Sequence, residues 1–218
     1  MAHSSSSSNA KTLAAATRPG RGVWLGAVLA AALAAGLAVS WMRGPAPPPP
    51  ELGTIPAFTL TDQSGEPFGS QALAGKVWIA DFIFTRCPTI CPALTAKMAR
   101  LQKQARQRGL AVEFVSFSVD PEHDTPERLK AFGRKHGADF GNWHFLTGTF
   151  DAIKSTVTDA MKISMGRDSA AEPVDPEGVL HGTHFVLVDG RQTIRGYYRS
   201  KDAAELQQLL DDAARLGS

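Results

Sequence analysis

The chain has 218 residues, of which 43% are hydrophobic and 20% charged. This is an ordinary globular composition, with length for one domain and an appendage. The formal charge of +2 is uneven: residues 1–50 hold four basic groups (Lys11, Arg18, Arg21, Arg43) and no acidic one, leaving 19 of the 23 basic groups against all 21 acidic ones. A domain so close to neutral has no electrostatic footprint for nucleic acid, and that class of partner is set aside.

In chain order, residues 1–21 are small, polar and basic and are predicted to be a disordered cytoplasmic N-terminus. Residues 22–42, "GVWLGAVLAAALAAGLAVSWM", contain no charge and lie between Arg21 and Arg43. About 20 apolar residues span a bilayer core, so this segment is predicted to be one transmembrane helix, with Trp24 and Trp41 at the interfaces and the basic side in the cytoplasm. The competing readings are a cleaved signal peptide, whose apolar core usually runs only about 7–15 residues, and a buried hydrophobic hairpin. Anchor or signal, the remainder is exported to the periplasm or another extracytoplasmic space. No cysteine lies near the segment, which excludes a lipoprotein anchor. Residues 43–51 contain "PAPPPP" and form a stiff linker, six residues of polyproline II reaching ~19 Å. The folded domain is expected over 52–218.

Within the domain, "AFTLTDQSGEPFGS" is predicted to be a hairpin turning at Ser64-Gly65. "KVWIADFIF" (76–84) is a near-continuous apolar run, as in a strand covered on both faces. Leu94, Met98, Leu101 and Ala105 form one helical stripe, closed by Gly109 as C′ residue. A strand at 111–119 follows, then a helix capped by Asp124 or Thr125 with Pro126 in its first turn and Leu129 and Phe132 inward. Next come a strand at 143–146, a helix capped by Thr149 and running from Phe150 to about Met161, a hairpin of 183–189 with 194–198, and a helix capped by Asp202 with Leu206, Leu209 and Leu210 on its apolar face. The order β-α-β-α, hairpin, helix is α/β and thioredoxin-like, here with an added N-terminal hairpin. Residues 162–182 show little periodicity, and a loop of that length in a compact domain is usually functional.

Both cysteines of the chain, Cys87 and Cys91, fall in "FTRCPTICP", after the first long strand and at the start of the first long helix. Ligands bind at the carboxyl ends of strands in open α/β sheets, and a helix N-terminus favours thiolate over thiol. Four readings compete. A structural disulfide would close too short a loop to stabilise much. A dithiol oxidoreductase would usually have Cys-x-x-Cys and a proline just before the hairpin strand, whereas 180–184 has none. A peroxidase would have threonine three residues before the reactive cysteine, where Phe84 stands. Metal binding fits best: residues i and i+4 share a helix face, and two thiolates suit Cu(I), with an imidazole suiting Cu(II) as well. Of the six histidines, His3 lies across the membrane. His136 is expected as a surface cation at a helix end, and His144 as a structural residue in a short strand. His181, in the loop before the hairpin strand, is the favoured third ligand, with His184 as the alternative.

The motifs "FTRCPTICP", "SVDPEHDTPERL" and "HGTHFVLVD" resemble the Sco/SenC family of copper-binding cytochrome c oxidase assembly proteins over about residues 52–215. The resemblance implies a thioredoxin fold holding one copper, as Cu(I) or Cu(II), through Cys87, Cys91 and His181, His181 preceding Asp189 by the family's spacing. It implies work on the dinuclear copper centre, with cytochrome c oxidase subunit II as partner, another periplasmic copper chaperone as a further one, and the membrane reached through one helix. Asp120 matches the family's acidic loop residue, with a turn-capping role and a site role both open. Two positions depart from the pattern: Leu180 stands where an acidic residue often precedes the histidine, and His123 where a basic residue is frequent, leaving His123 an accessory ligand or a solvated loop residue. The expected function is that of a metallochaperone rather than an enzyme. The alternatives are an exported thiol–disulfide reductase and a redox or copper sensor acting on a partner kinase.

Overall fold

The structure is a computed structural model that describes residues 28, 30–35, 47–164, 180, 181 and 183–217, with the backbone alone for Ser164, Leu180 and His181. Residues 28 and 30–35 are helical. The segment 1–21 and most of the span expected over 22–42 lie outside the described residues, among which no helix is long and apolar enough to cross a membrane. The chain divides into two compact units, Met1–Pro47 and Pro48–Ser218.

The second unit is built on a six-stranded sheet. Its strands are β1 (Gly53–Thr54), β4 (Val77–Ile83), β5 (Val112–Ser118), β6 (Trp143–Leu146), β9 (His184–Val188) and β10 (Thr193–Arg199), in the order β1-β10-β9-β4-β5-β6. β4, β5 and β6 run parallel, while β9, β10 and β1 are added antiparallel to their neighbours. All seven residues of β4 are buried, as the apolar run required. Its side chains alternate between two cores. Ile79 and Ile83 meet the helices α1 (Ile90–Gln107), α2 (Pro126–Lys135) and α4 (Ala203–Leu216). Trp78, Ala80 and Phe82 meet the hairpin of β2 (Thr59–Thr61) with β3 (Pro67–Gly69), together with helix α3 (Phe150–Lys154).

The helices start and stop for local reasons. The α1 stripe Leu94, Met98, Leu101 and Ala105 is at most 2% exposed, and each large member buried against β4 and β5 stabilises by ~1.5–3 kcal/mol. Gly109 ends α1 at φ 69°, a left-handed conformation that costs glycine nothing. Gly65 does the same in the β2–β3 turn at φ 84°. Thr125, Thr149 and Asp202 accept N–H groups of the first turns of α2, α3 and α4, as N-cap side chains do.

The third helix departs from expectation. After Lys154 it widens into a π-helix over Ser155–Ala160. The Thr156 hydroxyl donates to the Ala152 carbonyl at 3.0 Å, the acceptor its own amide would use in an α-helix, and such back-bonding competes with the helix ladder. The wider turn buries both Thr156 and Val157. The stretch 162–182 is tied at its ends: β7 (Ile163–Ser164) pairs in parallel with β8 (Leu180–His181), Ser164 opposite His181. Contact with the domain begins before residue 52. Pro49 is buried, and its carbonyl accepts from Arg195, whose guanidinium also reaches Asp189 at 2.9 Å.

Candidate metal and redox site

β4 ends at Ile83, and α1 begins at Ile90. Cys87 lies in the turn between them and Cys91 in the first turn of α1; both are buried free thiols. Pro92 is tolerated there because first-turn N–H groups have no partner within the helix. The N-cap residue Thr89 makes no side-chain bond to the helix. Instead the N–H of Cys91 donates to the Cys87 sulfur at 3.3 Å, so a cysteine sulfur takes over part of the capping.

The two thiols are consequently unequal. At Cys87, burial opposes ionisation, but the backbone N–H groups of Cys91, Thr89 and Ile90 and the Cys91 side chain outweigh it and lower the pKa below the usual value. At Cys91, burial is the largest effect and pushes the thiol up, with further upward contributions from Cys87 and the charge of Asp81. Asp81 itself is fully buried in β4 on the α1 side. Burial pushes its pKa up to about 7, against a bond from the Ser116 hydroxyl. Among the described residues its other oxygen has no hydrogen-bond partner.

The loop carrying Cys87 is fixed from the turn after β5. Asp124, fully buried, accepts the Thr85 N–H at 3.1 Å, the Thr85 hydroxyl at 2.5 Å and the Ser118 hydroxyl at 2.7 Å. Asp120 pairs with Arg86 at 2.5 Å. Asp120 thus contacts the residue next to Cys87 as well as closing its own turn, where its carbonyl accepts from His123 and Asp124. Sequence reasoning offered Asp124 only as a helix cap. Thr125 caps α2, and Asp124 turns inward. It also passed over Asp81, whose signal was a single carboxylate inside an apolar strand.

The histidines separate. The backbone of His181 stands in β8, while its side chain lies outside the described residues, as does His3. His184 is half-buried in β9, opposite Arg199. His144 stacks on Phe68 at 4.2 Å, with Nε2 3.6 Å from Glu113, which fits a structural role. His136 ends α2 as expected, 4.5 Å from the Phe132 ring, where burial, then Lys135, lowers its pKa. His123 has the Arg128 guanidinium 3.2 Å from Nδ1, a poor neighbour for a metal cation. Among the described residues no group of three His, Cys, Asp or Glu side chains is placed to hold a metal. The described donors that fit a soft metal are the two adjacent sulfurs.

A model of the SCO1/SenC family matches residues 48–216. The SCO1 protein homolog of Bacillus subtilis is 38% identical over 158 residues, 72% of this chain and 80% of that protein. Among solved structures, BsSco, described as a member of the Sco family of cytochrome c oxidase assembly proteins with a disulfide switch, is 32% identical. It superimposes with a TM-score of 0.67 over 78% of this chain and 95% of its own. Yeast Sco1 with copper bound is 25% identical with a TM-score of 0.59, covering 74% of this chain and 88% of that one.

Proposed function

The chain belongs to the SCO1/SenC family, and from that premise we propose that it is an extracytoplasmic copper-binding protein of cytochrome c oxidase assembly. Copper is bound through the thiolates of Cys87 and Cys91, with the His181 imidazole as third ligand. The observation that carries this reading is the Cys91 N–H to Cys87 sulfur bond, which supports a pairing of one soft donor in the turn before α1 with another in the first turn of that helix. Two thiolates suffice for Cu(I), and the imidazole extends the site to Cu(II). The copper-bound yeast relative and the oxidase-assembly relative support the choice of metal and process. Copper is cargo here, passed to subunit II of the oxidase and received from another extracytoplasmic chaperone, with residues 22–42 tethering the domain to the membrane. The test is copper stoichiometry: the purified, reduced protein should bind one copper, and no binding would overturn the reading.

A second reading has its own observation. The unequal thiols, Cys87 lowered and Cys91 raised, suit a thiol–disulfide reductase that attacks through Cys87 and resolves through Cys91, reducing a partner's disulfide and ending as the Cys87–Cys91 disulfide. Catalytic reduction of an oxidised partner by protein unable to bind copper would favour it. The two readings are linked, since forming the disulfide removes both thiolate ligands.

A further inference from the structure

The two carboxylates that reach the Cys87 loop differ in kind. Asp120 meets Arg86, whose side chain is 61% exposed; such a pair is screened and contributes little. Asp124 is 0% exposed, and its described partners are neutral donors: Thr85 N–H, Thr85 O–H and Ser118 O–H. A buried carboxylate costs several kcal/mol unless its lone pairs are used. Donors to an ionised acceptor make bonds roughly twice as strong as neutral ones, so this is a rigid arrangement. The Ser118 hydroxyl oxygen already accepts the Asp120 N–H at 3.1 Å, which leaves its proton for Asp124. An amide here would present one oxygen in place of two and aim its own N–H groups at donors.

The held residue matters because of its position. Thr85 is separated from Cys87 only by Arg86, and residues 84–89 belong to no strand or helix. A disulfide needs its Cα atoms within about 4.4–6.8 Å and a narrow dihedral, so small movements of this loop change how readily the sulfurs bond to each other or share a metal. We propose that Asp124 is a positioning residue for the dithiol: through Thr85 it fixes the Cys87 sulfur relative to Cys91 and so sets the balance between dithiol and disulfide. The proposal rests on the reading of Cys87 and Cys91 as the working pair.

The test uses the full chain, metal-free, equilibrated in glutathione redox buffers, where formation of the Cys87–Cys91 disulfide passes two electrons and two protons to oxidised glutathione, whose S–S bond breaks to give two reduced glutathione molecules. The fraction of Cys87–Cys91 disulfide is read by alkylation and mass. Asp124→Asn and Thr85→Val should each shift the equilibrium constant about tenfold, ~30 mV for a two-electron couple, while Thr85→Ser, which keeps the hydroxyl, should stay within about twofold of the parent. Leu210→Ala, a core truncation in α4, should lower Tm without moving the equilibrium. The proposal is overturned if Asp124→Asn lowers Tm with the equilibrium unmoved, or if Thr85→Ser shifts it as far as Thr85→Val. Should Asp124→Asn not fold, the two Thr85 variants decide. Failure of the copper reading would appear as absent copper binding in the parent and would leave this metal-free comparison intact.

Discussion

The backbone N–H of Cys91 donates to the sulfur of Cys87 across 3.3 Å. That one contact binds the turn after β4 to the first turn of α1 and gives the two thiols different chemistry. A helix start leaves N–H groups unsatisfied, and the Cys87 sulfur collects one of them where Thr89 does not. The same dipoles stabilise charge on that sulfur, while burial, with the charge of Asp81 adding to it, pushes the Cys91 thiol the other way.

The first expectation is therefore a difference in reactivity. In reduced, metal-free protein near pH 7.5, iodoacetamide should label Cys87 at least about tenfold faster than Cys91, since the thiolate is the reacting form. Time-resolved peptide mass spectrometry measures both rates. Equal rates, or faster labelling of Cys91, would contradict the capping role of the Cys87 sulfur.

The ligand assignment gives a second set of outcomes. Cys87→Ala and Cys91→Ala should each abolish tight copper binding, because one thiolate leaves too few soft donors. His181→Ala should selectively weaken Cu(II) and shift its sulfur-to-copper charge-transfer band, with Cu(I) retained on the two thiolates. His184→Ala should leave the spectrum nearly unchanged. The reverse pattern for the two histidines would exchange their roles.

Much of this was legible beforehand because it depends on local pattern. The apolar run at 76–84, the stripe from Leu94 to Ala105, the caps Thr125, Thr149 and Asp202, and the turn glycines Gly65 and Gly109 each announce themselves within a few residues. The cysteine pair was legible for the same reason. What escaped notice depends on partners distant in sequence. Asp124 looks like a cap until Thr85, 39 residues earlier, is folded against it. The two-residue strands β1, β7 and β8 have no periodicity of their own and exist because Ile194, Leu180 or Ile163 lies opposite. The π-helix follows from a hydroxyl competing for one carbonyl, which composition does not reveal.

Asp81 yields a third prediction, on pH. Its pKa rises from 3.8 to about 7 in the folded protein because burial disfavours the charge. The folded state therefore holds this proton more tightly than the unfolded chain. Its contribution to stability is complete below pH 4 and is lost as pH rises through about 7. Every tenfold difference in proton affinity between the folded and unfolded states corresponds to ~1.4 kcal/mol. Asp81→Asn should flatten this dependence, leaving the variant at least as stable as the parent at pH 8 and relatively weaker at pH 5. Urea denaturation across pH 4–8 measures it. A parent and variant with parallel curves would show that Asp81 does not titrate in this range.

The last prediction concerns what copper does to the ladder that bears His181. β7 and β8 have two residues each, and a ladder that short is marginal on its own. One side is well fixed: Ile163 is fully buried and the Tyr197 hydroxyl donates to the Met161 carbonyl at 3.2 Å. The other side, Leu180–His181, is joined to it by the register Ile163 to Leu180 and Ser164 to His181. A third ligand bond at His181 would add a second attachment, linking β8 through the metal to the turn that carries Cys87. Ligand binding to the folded state alone stabilises by RT ln(1 + [L]/Kd), about 4 kcal/mol at a thousandfold excess over Kd. Because the sheet and its two cores are already formed, this gain should appear mainly as suppressed local opening. Hydrogen exchange should slow on copper loading at 85–93, 163–164 and 180–184, with little change in α4. Uniform protection across the domain would mean that copper drives overall folding. Slowing at 85–93 with none at 180–184 would leave both thiolates as ligands and remove His181 from the site.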